Sequence, residues 1–208
     1  MTFVLGLTGS IGMGKSATAA IFRRLGVPVH DADATVHALY RGRAAPAIGE
    51  AFPGTVTDGA VDRARLAAAV LGRPDRIGLL EAIVHPLVRE EEEAFLRSLP
   101  PLTPVAVLDV PLLFETGGEA RCDAVAVVTA SVETQRERVL ARPGMTEEKL
   151  AAILARQMPD SEKRARAHFL VDTGRGFASA EAQVRAILAC LAGRPGRGAS
   201  KRSIGHHA

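Results

Sequence analysis

The sequence predicts an α/β domain, a parallel sheet covered by helices on both faces. Three observations predict it. Apolar, β-branched runs alternate with segments of helical spacing along most of the chain. The first run leads through a glycine-rich turn straight into a helix. The chain has 208 residues, 47% hydrophobic and 24% charged, which suits one domain with a sizeable core and a small inserted lobe.

Phe3-Val4-Leu5-Gly6-Leu7 is a short apolar run, as expected of a strand buried on both faces. Lys15 to Leu25 follows with Ala19, Ile21, Phe22 and Leu25 at helical spacing, and Gly26 stops it. Val27 to His30 is a shorter strand candidate ending at Asp31. Val105 to Leu108, Ala124 to Val128 and Phe169 to Val171 are three more, with helices expected at Val132–Leu140 and Ala178–Leu191. Between the second and third strand candidates the pattern changes. Asp62–Leu71, Arg76–Ile83 and Pro86–Leu99 read as consecutive helices, with Pro86 suited to a first helical position because it has no N–H to leave unpaired. That predicts a helical insertion at about 60–100. Residues 142–167 form a polar, arginine-rich excursion, with Thr146 before Glu147 and Glu148 as a helix start. The core is therefore expected at 1–33, 102–141 and 168–192, and 193–208 as a basic disordered tail.

Composition narrows the class. Cys122 and Cys190 are too few for a disulfide scaffold and are expected to be buried thiols in a reducing compartment. The net charge of +3 belongs to the tail. Setting aside Arg194, Arg197, Lys201 and Arg202 leaves 22 of the 26 basic residues against 23 acidic ones, so the body is neutral. A nucleic-acid partner is not expected, and a tail that binds RNA is the weaker alternative. No apolar run approaches 18 residues, and Met1 to Gly9 lacks the features of a signal peptide. The expectation is a soluble, cytoplasmic protein without a membrane partner, a monomer or small homo-oligomer. His206 and His207 lie in the tail without further metal ligands.

The chemistry concentrates at Gly9-Ser10-Ile11-Gly12-Met13-Gly14-Lys15-Ser16, which fits G-x-x-x-x-G-K-[ST] between a strand and a helix. Glycines let successive backbone N–H groups converge on phosphate oxygens, and the helix N-terminus adds its positive end. Lys15 supplies charge to the β- and γ-phosphates of ATP, and the Ser16 hydroxyl suits Mg2+. The dinucleotide pattern G-x-G-x-x-G is absent. So is asparagine anywhere in the chain, which disfavours a Ras-type GTPase. The motif in this setting predicts a P-loop nucleotide-binding fold around the parallel sheet.

Asp31 and Asp33 follow the second strand, two apart, and in extended backbone both would point the same way. A carboxylate there can take the proton of an attacking hydroxyl; the alternative is a helix cap. Arg138 and Arg142, four apart, would share a helix face and clamp phosphates, or merely be solvated. Asp109 ends a strand and can hold Mg2+ through water or order the loop after it. His85 is either a helix-entry residue or a substrate contact.

These blocks resemble the dephospho-coenzyme A kinase family. Gly6 to Ser16 resembles its first block, Asp31-Ala32-Asp33 its second and His85-Pro86 its third. Asp109-Val110-Pro111-Leu112-Leu113-Phe114-Glu115 resembles its most distinctive block. Gln135, Arg138, Arg142 and Arg156-Gln157-Met158-Pro159 resemble its lid. The resemblance implies an α/β, three-layer P-loop kinase fold with a five-stranded parallel sheet, a helical acceptor-binding insertion and a lid, and transfer of the ATP γ-phosphate to the ribose 3′-hydroxyl of dephospho-CoA. It implies Asp33 as general base, with Lys15 and Arg142 stabilising charge. Ser10, Ile11, Gly12, Met13, Gly14, Lys15, Ser16, Ala17, Arg138 and Arg142 would bind ATP. Asp31, Asp33, His85, Asp109, Leu113 and Glu115 would bind the acceptor, although Leu112, Leu113 and Phe114 read more readily as packing, and Ser16 and, through water, Asp109 would hold Mg2+. Ser10 stands where the family has glycine, Met13 where serine is common, and Ala17 where threonine is frequent. In Asp172-Thr173-Gly174, Thr173 stands where the family has asparagine near the ATP adenine. The rival readings are another small-molecule P-loop kinase, for a nucleoside, nucleotide or shikimate, and a nucleotide sensor without transfer activity.

Overall fold

The first half of the chain forms β1 (Phe3–Thr8), α1 (Lys15–Arg24), β2 (Val29–Asp31), α2 (Ala32–Leu39), α3 (Ala45–Ala51), β3 (Val56–Thr57), β4 (Ala60–Val61), α4 (Arg63–Val70) and α5 (Pro74–Ser98). The second half forms β5 (Val105–Asp109), a 3-10 turn at Gly118–Arg121, β6 (Ala124–Thr129), α6 (Val132–Leu140), α7 (Glu147–Leu154), α8 (Asp160–Ala165), β7 (Phe169–Asp172) and α9 (Phe177–Leu191). The computed structural model describes residues 1–197. They divide into two units, Met1–His30 with the chain from Leu99 on, and Asp31–Ser98.

The sheet order is β2-β5-β1-β6-β7, with β1 parallel to both β5 and β6, and β6 parallel to β7. Every residue of β1, β5 and β6 is buried, the pattern that their continuous apolar runs require of a sheet covered on both faces. Leu5, Leu7, Val107 and Val128 pack with Ile21 and Phe22 of α1 and with Val184 and Ile187 of α9. Each such side chain contributes about 1.5–3 kcal/mol by leaving water. On the opposite side of β1, Gly6 has no room for a Cβ, which would lie 2.7 Å from Leu113 and 2.8 Å from Cys122 Sγ. The register sets Leu7 beside Asp109, so the turn after β1 emerges at the carboxyl end of β5. Ligands bind at the carboxyl ends of such strands, where the chain order reverses around β1.

The unit Asp31–Ser98 has its own core of Leu39, Ala44, Ile48, Phe52, Leu66 and Val84. It begins some thirty residues before the insertion expected at about 60–100, because α2 and α3 bury their apolar faces with α4 and α5. It also holds a hairpin, β3–β4, turned by Asp58 and Gly59, both at positive φ (50° and 75°) as a type I′ turn requires. The separate helices expected at Arg76–Ile83 and Pro86–Leu99 are one helix, with Pro86 inside it. Proline there removes a helical bond and costs about 3 kcal/mol. The helix continues because Leu80, Ile83 and Val84 before it and Leu87 and Val88 after it all pack into the same cluster.

Cys122 is buried as expected, but Cys190 is exposed. Helix α9 turns Ala180, Val184, Ile187 and Leu191 inward, and Cys190 falls off that stripe. The first residues of the expected tail are held. Gly196 N–H donates to the Met1 carbonyl at 3.2 Å, and Arg197 N–H to Asp123 Oδ1 at 2.7 Å. The rest of the tail, with Lys201, Arg202, His206 and His207, lies outside the described residues. Among the described residues no helix is long and apolar enough to cross a membrane.

Candidate active site

The turn after β1 departs from ordinary backbone where its glycines stand. Gly12 (φ 78°) and Gly14 (φ 91°) adopt the left-handed region, and a Cβ on Gly12 would lie 2.5 Å from Val139 and 3.0 Å from the Gln135 carbonyl. A Cβ on Gly9 would lie 2.7 Å from the Val128 carbonyl oxygen. Three consecutive carbonyls of the turn are fastened from outside. Gln135 Nε2 donates to Ile11 O at 2.7 Å, Arg138 to Gly12 O at 3.4 Å, and Thr173 Oγ1 to Met13 O at 2.8 Å. A trans peptide points its C=O and the following N–H in opposite directions. Holding the Ile11 and Met13 carbonyls outward therefore aims the Gly12 and Gly14 N–H groups inward. The first N–H groups of α1, at Lys15, Ser16 and Ala17, have no helical acceptor and continue that ring at the positive end of the helix. The arrangement is an anion cradle.

Lys15 Nζ donates to Asp109 Oδ1 at 2.6 Å, and the Asp109 side chain is only 3% exposed. The pair fixes the ammonium beside the cradle. Ser10 is buried and its carbonyl accepts Met13 N–H at 3.2 Å. Met13 is buried too, with its sulfur accepting Ala130 N–H at 3.1 Å, so neither departure from the family pattern opens the turn. Ser16 and Ala17 are exposed at the start of α1. The donors available to a metal here, the Ser16 hydroxyl and the Asp109 carboxylate, are all oxygen, which fits a small hard cation that keeps waters and phosphate oxygens as its other ligands.

Arg138 does not lie free. Its guanidinium donates to Thr173 Oγ1 at 2.8 Å and to Thr173 O at 2.9 Å. Arg142 stands beyond the end of α6, exposed, its backbone N–H on Val139 O, so the shared helix face expected of the two arginines does not form. Gln157, between α7 and α8, accepts Ile11 N–H at 3.1 Å and ties that linker to the turn.

In the loop after β5, Leu113 and Phe114 pack, and the acceptor contact that the resemblance implies for Leu113 does not form. Leu113 is fully buried beneath Gly6 and Gly118, which removes it from contact with a dissolved substrate. Glu115 Oε1 accepts Lys163 Nζ at 2.9 Å and Met158 N–H at 2.8 Å. Burial raises the Glu115 carboxyl's pKa, but the bonds from Lys163, from Met158 N–H and from its own backbone outweigh that and hold it below the ordinary range. Lys163 is completely buried and also reaches the Pro111 carbonyl at 3.4 Å. Sequence reasoning missed Lys163 and the bracing of the turn by Gln157 and Thr173; a lone lysine in a charged helix carries no local mark of burial.

In the unit Asp31–Ser98, Asp31 caps α2, its Oδ1 accepting Ala34 N–H at 3.0 Å. Asp33 sits in the first turn of α2, not in extended backbone, so the same-side argument for the two acids fails. Its carboxylate is exposed. His85 is half-buried in the middle of α5, not at a helix entry.

The dephospho-CoA kinase family profile matches residues 3–178. A dephospho-CoA kinase of Mesorhizobium japonicum is 62% identical over 93% of this chain and 98% of its own length. A crystal structure from Thermus thermophilus is 38% identical with a TM-score of 0.82, covering 92% of this chain and 99% of its own. A dephospho-CoA kinase structure from Campylobacter jejuni, 21% identical, shares the fold at a TM-score of 0.63, over 91% and 97% of the two chains. The chain belongs to the dephospho-CoA kinase family.

Proposed function

We propose that the cradle of residues 9–17 holds the triphosphate of ATP and that Asp33 is the base for the family's reaction, phosphorylation of dephospho-CoA in the last step of coenzyme A synthesis. The observation that carries the reading is the cradle itself, with inward N–H groups, a helix N-terminus and a fixed lysine at one place. Asp33 accepts the 3′-hydroxyl proton as that oxygen bonds to the γ-phosphorus, and the bridging oxygen leaves on ADP. Lys15 and Arg142 neutralise charge that builds on the transferring oxygens; Arg142 suits this because its side chain is exposed. Ser16 and Asp109 would hold Mg2+, which would draw charge from the β- and γ-phosphates. Asp31 and His85 are proposed acceptor contacts. The carboxylate of Glu115 is engaged by Lys163 and Met158, which suits a brace for the loop better than a substrate contact. Cytoplasmic location and a monomeric or small homo-oligomeric state belong to the same proposal.

The test offers purified protein γ-labelled ATP with dephospho-CoA, shikimate, nucleosides and nucleotides. Label on the 3′-oxygen of dephospho-CoA alone is the expected result. Label on another acceptor would favour a different small-molecule kinase, and binding without transfer would favour a sensor.

A further inference from the structure

Thr173 lies at the end of β7, 160 residues from the turn it touches, and is only 7% exposed. Its hydroxyl makes two short bonds at once, donating to Met13 O at 2.8 Å and accepting from Arg138 at 2.8 Å. Its own position is set independently. Thr173 N–H donates to Thr129 O at 3.0 Å, and its carbonyl takes the second Arg138 nitrogen at 2.9 Å. Its side-chain atoms stand 3.1 to 3.3 Å from where a Cβ on Gly14 would be, so Thr173 presses directly on the cradle. Its hydroxyl is committed to the Met13 carbonyl and to Arg138.

We infer that Thr173 is a positioning residue for the phosphate donor: by holding the Met13 carbonyl outward it aims the Gly14 N–H into the cradle, and by engaging Arg138 it keeps the neighbouring Gly12 carbonyl turned away. The inference rests on the reading that the cradle binds ATP. Valine has the shape of threonine but gives Met13 O no donor and removes the hydroxyl that accepts from Arg138 Nη1, leaving Arg138 only its bonds to the Thr173 and Gly12 carbonyls.

Thr173→Val is therefore expected to raise KM for ATP about tenfold, the scale of one buried hydrogen bond, while KM for dephospho-CoA and kcat stay within about twofold. Thr173→Ser, which keeps the hydroxyl, is expected to restore KM for ATP. Thr173→Ala, adding no bulk, repeats the test should Thr173→Val not fold. Lys15→Met separates the inference from the reading beneath it, because that variant must lose ATP binding whatever Thr173 does. Retained ATP binding in Lys15→Met would overturn the cradle reading. Loss of binding there, with unchanged KM for ATP in Thr173→Val, would overturn the inference alone. So would an equal rise in both KM values, or a serine variant as poor as valine.

Discussion

In the turn after β1, carbonyls at Ile11, Gly12 and Met13 are each fastened by a side chain from α6 or from the end of β7. At the start of α2, Asp33 is exposed and makes no hydrogen bond or ion pair among the described residues, while its neighbour Asp31 is occupied as a cap. The first arrangement preorganises neutral dipoles for a multiply charged ligand, and its stiffness comes from bonds between distant parts of the chain. The second leaves a carboxylate exposed to water with no partner holding it among the described residues. Removing a group from the braced region should disturb stability and donor binding together. Removing the unbraced acid should disturb chemistry alone.

Two substitutions test that contrast most strongly. Asp33→Asn is expected to lower kcat by at least about two orders of magnitude, with melting temperature and KM for ATP unchanged. Near-normal turnover would remove Asp33 from its role, and a fall in stability would show that it is braced after all. Gly12→Ala is the converse. The left-handed φ and the 2.5 Å approach to Val139 predict a loss of about 2–4 kcal/mol in stability, read by denaturant unfolding, together with weaker ATP binding. An alanine variant of native stability would mean that the turn yields easily.

The loop after β5, held by the Glu115–Lys163 pair, has a pH signature of its own. Because the Glu115 carboxyl is held below its ordinary value of 4.5, it contributes stability that is fully present above that value and is lost as pH falls through the depressed one. Glu115→Gln should melt below the wild type at pH 7, and the gap should narrow as pH drops under 4.5. A gap independent of pH would contradict the Lys163 pairing. The smallest effect is expected from truncation after Ala192. Loss of Arg197 from Asp123 should cost about 1 kcal/mol, or roughly 2–4 °C in melting temperature, with both KM values unchanged. Loss of function on truncation would instead favour a role of the tail in RNA binding.

The same contrast explains what was legible in the sequence. The cradle was readable because its glycines, Lys15 and Ser16 lie within eight residues and their spacing carries the chemistry. Strands β1, β5 and β6 were readable because each is a continuous apolar run buried on both faces. Its braces were not, since Thr173 and Gln157 meet the turn across separations of 160 and 146 residues. Pro86 misled because the first-position preference is local, and packing of Leu80 to Val88 on one core overrode it. Cys190 misled because composition gives average burial, whereas the stripe of Ala180, Val184, Ile187 and Leu191 decides the face. The start of α2 was missed for a related reason. The Asp31 cap turns the chain into helix one residue after β2, and Asp33 goes with it. The Asp58-Gly59 pair was a hairpin signal available in the sequence and passed over.

The most direct measurement is a crystal structure of the protein with a non-hydrolysable ATP analogue, Mg2+ and dephospho-CoA bound together. The account predicts phosphate oxygens on the Gly12 and Gly14 N–H groups and the ribose 3′-oxygen about 2.6–3.2 Å from an Asp33 carboxylate oxygen. A closed complex with that hydroxyl hydrogen-bonded to a different base, and Asp33 left in solvent, would contradict it.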